Sequence, residues 1–255
     1  MNPKSSYLSH PGLVRQGNED FIHVDDDLGI YLLADGMGGH NAGEVASELA
    51  VKTAHAYLAE RIASASPDEI PDILSEAMKA AHVAVNAKAK TDFSLMGMGT
   101  TLVEIIVRND KAFICHAGDS RAYLYHNTLQ RLTRDHTMGD QLLENNILPR
   151  ERIPEKQWHT LTQAVGVGDL PIPDMKQIEL VSGDMLLLCS DGFTDMLTDA
   201  EIGALIAGGA DASTPYPRQR GTSGNSDLKN IAQGLVDAAN NKGGRDNISV
   251  VLVRI

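Results

Sequence analysis

The runs IYLLAD (30–35) and MLLLCSD (185–191) are apolar at nearly every position until they stop at an aspartate. A strand with one wet face alternates apolar and polar residues, so runs without alternation are buried on both faces. Each therefore needs a packed layer on either side. FIHV, TLVEIIV, KAFICHAGD, RAYLYHN, LQRLTRD, KQIELV and NISVVLVRI also read as strands. Connections as short as DDDLG, RND and SGD predict antiparallel hairpins between them.

Helical periodicity is confined to a few segments. Residues 43–63 and 67–89 adjoin, and the second places Ile70, Ile73, Leu74, Met78, Ala81 and Val85 on one face. Ser66-Pro67-Asp68-Glu69 supplies its start, with an N-cap hydroxyl, a proline in the first turn and a capping-box glutamate. Thr198-Asp199-Ala200-Glu201 repeats the box, and a further helix fits 227–240. Strands in groups with helices in adjacent pairs predict an α+β fold, two packed antiparallel sheets with helices outside. At 255 residues the expectation is one domain spanning 1–255. Residues 208–226, rich in Pro, Gly and Ser, are expected to form an exposed loop. Residues 134–166 mix short helical patterns with polar turns.

Composition narrows the function. A net charge of −12 with 4% aromatic residues disfavours nucleic acid and anionic membrane surfaces. No run reaches the ~20 apolar residues needed to span a bilayer, and the N-terminal residues hold no apolar signal core. Cys115 and Cys189 lie inside apolar runs and read as buried free thiols. A cytoplasmic, soluble monomer is expected.

Carboxylates gather where the strand-like runs end. Asp35 is followed by Gly36, Asp191 by Gly192, Asp119 follows Gly118, and Asp246 follows two glycines and Arg245; Glu19-Asp20 precede FIHV. Any single Asp-Gly pair reads as a turn. Carboxylates that converge at one sheet edge repel one another unless a cation neutralises them. An all-oxygen set without a supporting His or Cys cluster favours Mg²⁺ or Mn²⁺, and glycine lets a main-chain carbonyl such as that of Gly36 approach the ion. LADGMGGHNAGE contains no Gly-Lys-Ser/Thr, which excludes a P-loop.

The motifs RQGNED (15–20), LADGMGGHNAGE (33–44), GMGTTLV (97–103), AGDSRAYL (117–124), LTRDHT (132–137), LLCSDGFTD (187–195) and GGRDNISVVLV (243–253) together resemble the metal-dependent type 2C Ser/Thr protein phosphatases in their compact bacterial form. The resemblance implies an α-β-β-α sandwich with a dinuclear centre at one edge. It implies that Asp35, the Gly36 carbonyl, Asp191 and Asp246 hold two core metals, with Asp20 reaching the second. Asp119 with Asp191 would form a weaker third site, assisted by Asp195. Arg15 would hold the substrate phosphate; Asn247, and Glu19 beside Asp20, would support the ligands. Segment 134–166 would be the flap beside the site. The implied reaction is attack by a metal-bridging water on phosphoserine or phosphothreonine of proteins phosphorylated by a bacterial Ser/Thr kinase. Met37 stands where many eukaryotic members carry a histidine, leaving the general acid unassigned, with His40 the nearest imidazole in sequence. A binding module without turnover and a hydrolase of small phosphate esters or nucleic acid are the competing readings.

Overall fold

The computed structural model describes residues 3–38, 42–208 and 225–255. In chain order the elements are β1 (Lys4–His10), β2 (Asp20–Asp25), β3 (Ile30–Met37), α1 (Ala42–Ile62), α2 (Ile70–Ala89), β4 (Gly99–Thr100), β5 (Leu102–Arg108), β6 (Lys111–Ala117), β7 (Arg121–His126) and β8 (Thr128–Arg131). They continue with α3 (Met138–Glu144), α4 (Glu155–Trp158), β9 (Asp174–Glu179), β10 (Met185–Cys189), α5 (Asp191–Thr194), α6 (Asp199–Gly208), α7 (Asn225–Asn241) and β11 (Ile248–Arg254). One sheet has the order β1-β11-β10-β7-β8 and the other β2-β3-β5-β6-β9, with β4 paired to β3; every pairing is antiparallel.

The unalternated runs are explained by two cores meeting at one strand. In β3, Ile30, Leu32 and Ala34 pack under α1 and α2, while Tyr31 and Leu33 fill the space between the sheets. In β10, Met185, Leu187 and Cys189 pack under α6 and α7, while Leu186 and Leu188 enter the same inter-sheet core. The architecture is thus the expected α-β-β-α sandwich.

Local chemistry sets the element ends. The Ser66 amide donates to the Glu69 carboxylate at 2.8 Å, closing the box before α2, whose first turn is 3-10 from Pro67 to Glu69. The β5–β6 hairpin turns through Asn109 and Asp110, both left-handed, the geometry that matches strand twist.

Several expectations are corrected. The first strand is β1, not FIHV: polar KSSYLSH forms a ladder along β11. The SGD connection is not a hairpin, because β9 pairs with β6 in one sheet and β10 with β7 and β11 in the other. There the Val181 amide donates to the Asp184 carboxylate, and Gly183 takes a left-handed φ of 96° as the chain turns a corner between sheets. The LQRLTRD strand ends at Arg131, and the last helix starts earlier, at Asn225. Gly208 ends α6; residues 209–224 of the expected loop lie outside the described residues. Among the described residues, no helix is long and apolar enough to cross a membrane.

Candidate metal centre

Sheet register brings the carboxylates together. Asp20 lies opposite Asp35 across the β2–β3 ladder, and alternation points both toward the space between the sheets. Cys189 pairs with Val250, so the chain leaving β10 at Asp191 meets the chain entering β11 from Asp246. Ala117 pairs with Leu102, which carries Asp119 next to Thr101 and the end of β3.

Glycines permit this convergence by excluding side chains from crossings of the backbone. A Cβ on Gly36 would lie 2.1 Å from the Gly43 carbonyl and 2.6 Å from that of Glu19; one on Gly192 would lie 2.2 Å from the Asn247 carbonyl. Hydroxyls then fix the strand ends. The Asp35 amide donates to Thr101 Oγ1 at 2.9 Å, Thr100 Oγ1 donates to the Asp35 carbonyl, and Thr101 and Ser120 share a hydroxyl bond of 2.7 Å. The Ser190 hydroxyl donates to Asp20 Oδ2 at 2.8 Å and accepts from the Ser249 amide. Asn247 clamps the loop before β2: its Nδ2 donates to the Pro11 and Gly17 carbonyls, and its Oδ1 accepts from the Glu19 amide at 2.8 Å.

Burial makes the cluster electrostatically tense. It pushes Asp35 well above the ordinary carboxylate range, and repulsion from Asp20, Asp191 and Asp119 adds to it. Asp20 is raised to about 7, chiefly by burial, and Asp119 and Asp191 are raised for the same first reason. Asp20 Oδ1 is buried without a hydrogen-bond partner. Oxygen donors that cannot all ionise unaided, one of them orphaned, fit a hard divalent cation.

Arg15, Glu19, Asp35, Gly36, Asp119, Asp191, Asp246 and Asn247 line one cleft of about 930 Å³, with Asp20 buried behind. Arg15 Nη2 lies 2.6 Å from Asp246 Oδ2, a pair open to solvent. Asp195 lines an adjoining hollow and is raised to about 6 by burial and by Asp191. His40 lies outside the described residues, whereas Met37 lines the cleft. From segment 134–166, Gln141 and residues 159–164 also line the cleft.

His159, Thr101 and Ser190 were not anticipated. His159 sits at the junction of cleft and hollow, 3.7 Å from Asp195, and one ligand atom each from His159, Asp191 and Asp195 falls within 4.8 Å of the others. The adjacent Trp158, the only tryptophan, was the available signal. Burial raises Cys189 to about 12 and Cys115 well above its usual value; both are free, so neither is a ready thiolate.

Residues 10–228 match the sequence profile of the family Protein phosphatase 2C. The serine/threonine phosphatase stp of Listeria welshimeri serovar 6b is 34% identical over 254 residues, covering 98% of this chain and 94% of that protein. The structure of the S. agalactiae serine/threonine phosphatase is similar at a TM-score of 0.84 with 32% identity, covering 99% of both chains. The catalytic domain of serine threonine protein phosphatase PstP in complex with 2 manganese ions is similar at a TM-score of 0.79 with 31% identity, covering 99% of this chain and 97% of that one.

Proposed function

The chain belongs to the protein phosphatase 2C family and is a serine/threonine protein phosphatase, and we propose that it removes phosphate from phosphoserine and phosphothreonine at a divalent-metal centre formed by Asp20, Asp35, the Gly36 carbonyl, Asp191 and Asp246. The observation that carries this reading is the buried set of mutually repelling carboxylates opening into the cleft that also holds Arg15. Manganese in the PstP complex supports the choice of ion; Mg²⁺ suits the same oxygens. When bound at these residues, such ions would supply Lewis acidity and lower the pKa of a water nucleophile.

The chain's own groups do the rest. Arg15 offers a planar fork to the phosphate oxygens from the cleft wall. Thr101 and Ser190 hold Asp35 and Asp20 in register, and Asn247 sets the loop that carries Arg15. Asp119, with Asp191 and Asp195, would hold a weaker third ion, and the wall from 134–166 would filter the peptide around the phosphate. We take residues 1–255 to act as one catalytic unit. The substrates are products of a Ser/Thr kinase, since only phosphoryl transfer makes such esters. The two buried free thiols support a reducing, cytoplasmic setting.

Turnover of p-nitrophenyl phosphate and of a phosphothreonine peptide, with Mn²⁺, with Mg²⁺ and with chelator, tests the reading. Hydrolysis of both should require metal and vanish on chelation, and Asp191→Asn should abolish it with the fold intact. Chelator-resistant turnover, or an active Asp191→Asn, would overturn the metal assignment.

A further inference from the structure

A second group of potential metal ligands lies away from the cleft, where edge strand β2 packs against α1. Alternation places Phe21, His23 and Asp25 on the helix-facing side of β2, with Ile22 and Val24 turned toward the other sheet. His55, on α1, meets them there. Its ring centroid lies 3.8 Å from that of His23, and its Nε2 lies 3.5 Å from Asp25 Oδ2. One ligand atom from each of the three falls within 4.8 Å of the others, and all three side chains are half-buried. Asp25 is held in place because its Oδ1 accepts the Leu28 amide at 2.9 Å, which leaves Oδ2 toward the histidines. Among the described residues, no backbone group bonds either imidazole.

We propose that His23, Asp25 and His55 form a Zn²⁺ site that ties edge strand β2 to helix α1. Two imidazoles and a carboxylate are a borderline-soft donor set, unlike the all-oxygen catalytic cluster, and select Zn²⁺ over Mg²⁺. Tetrahedral zinc with bonds of about 2.1 Å needs ligand atoms about 3.4 Å apart. Half-exposed side chains on two elements already in contact reach that spacing by small rotations. Asp26 and Asp27 add negative charge at the same hairpin. Burial and the neighbouring His55 lower the pKa of His23, against a smaller opposing effect of Asp25.

The other histidine pair outside the centre lacks this freedom. His136 Nδ1 accepts the Gly118 amide, so its Nε2 carries the proton, and His116 Nε2 is committed to the Arg134 carbonyl at 2.7 Å. Metal at His136 would have to displace that proton.

The test is equilibrium dialysis of the full chain, saturated with Mn²⁺, against low-micromolar Zn²⁺, with metal content read by mass spectrometry. Wild type should take up one more Zn²⁺ per chain than His23→Gln/His55→Gln, in which zinc binding at this site weakens at least tenfold. Zinc exchanging into the catalytic cleft contributes equally to both proteins and cancels. Equal uptake would overturn the proposal. Carbethoxylation of wild type by diethyl pyrocarbonate, mapped by mass spectrometry, covers the case of a poorly folded variant. Zn²⁺ should slow modification of His23 and His55 at least tenfold while Mg²⁺ does not, with exposed His126 as the internal reference. Unprotected His23 and His55 would likewise sink it. Neither readout depends on phosphatase turnover.

Discussion

Glu104 should make the protein more stable when it is replaced by an apolar residue, and by an amount that grows with pH. It lies in the middle of β5, fully buried, on the face shared by Leu102 and Ile106 under the helices. Apart from the Cys115 thiol, neither carboxyl oxygen has a hydrogen-bond partner. Burial pushes its pKa from 4.5 up to about 8, tempered only by the Cys115 thiol directly across the β5–β6 ladder. Below pH about 4.5 the group is protonated folded or unfolded and contributes no pH dependence. Between about 4.5 and 8 the folded state keeps a proton that the unfolded chain has lost, so stability falls as pH rises; above 8 the loss is complete.

The slope is about 1.4 kcal/mol per pH unit inside that window. From pH 5 to 7.5 the cost of Glu104 grows by about 3 kcal/mol, a large part of the ~5–15 kcal/mol that holds a typical domain together. Glu104→Met conserves volume and cannot ionise. Urea unfolding of wild type and variant at pH 5, 6, 7 and 7.5 in one buffer series isolates the effect, because other titrating carboxylates cancel in the difference. The stability gap between variant and wild type should widen toward the variant by about 3 kcal/mol across the series. A gap that stays constant with pH would refute the reasoning, since Glu104 would then titrate alike in the folded and unfolded chain.

The remaining predictions concern the cleft. Arg15→Ala should raise KM for a phosphopeptide about tenfold, the loss of one charge-assisted contact worth ~1.4 kcal/mol, with a smaller effect on kcat; a large fall in kcat at unchanged KM would assign Arg15 to the transition state alone. Asn247→Leu strands the Pro11 and Gly17 carbonyls and the Glu19 amide, and should cost about 2–4 kcal/mol in denaturant unfolding; a loss under ~0.5 kcal/mol would mean that the clamp is dispensable. Gly36→Ala places a methyl 2.1 Å from the Gly43 carbonyl and should lower both melting temperature and Mn²⁺ affinity, measured by scanning calorimetry and titration calorimetry. Wild-type values in both would show that the crossing yields without cost.

What the sequence made legible follows from where each signal resides. β3 and β10 were readable because burial on both faces leaves no polar position in the run, and that pattern is local. β1 was not, because an edge strand needs only one partner and KSSYLSH carries the polar residues that its open edge tolerates. The SGD connection misled because a tight turn of that length serves a hairpin or a corner between sheets equally well. The choice is made by distant partners, β6 for one strand and β7 with β11 for the other.

The site divides in the same way. Asp35, Asp119 and Asp191 stood out because a carboxylate beside a glycine after an apolar run is a short-range pattern, and register then carries them to one edge. His159 carries no such mark: a histidine in an irregular segment becomes part of the site only when that segment folds over Asp195. The glycines add a second argument to the one made from sequence, where glycine lets the Gly36 carbonyl approach an ion. The atoms a Cβ on Gly36 or Gly192 would strike are backbone carbonyls of Gly43, Glu19 and Asn247. Their first effect is to let chain segments cross within backbone contact, and that crossing brings together the segments that carry Asp20, Asp35, Asp191 and Asp246. A substitution at either glycine should therefore weaken metal binding without removing a single ligand.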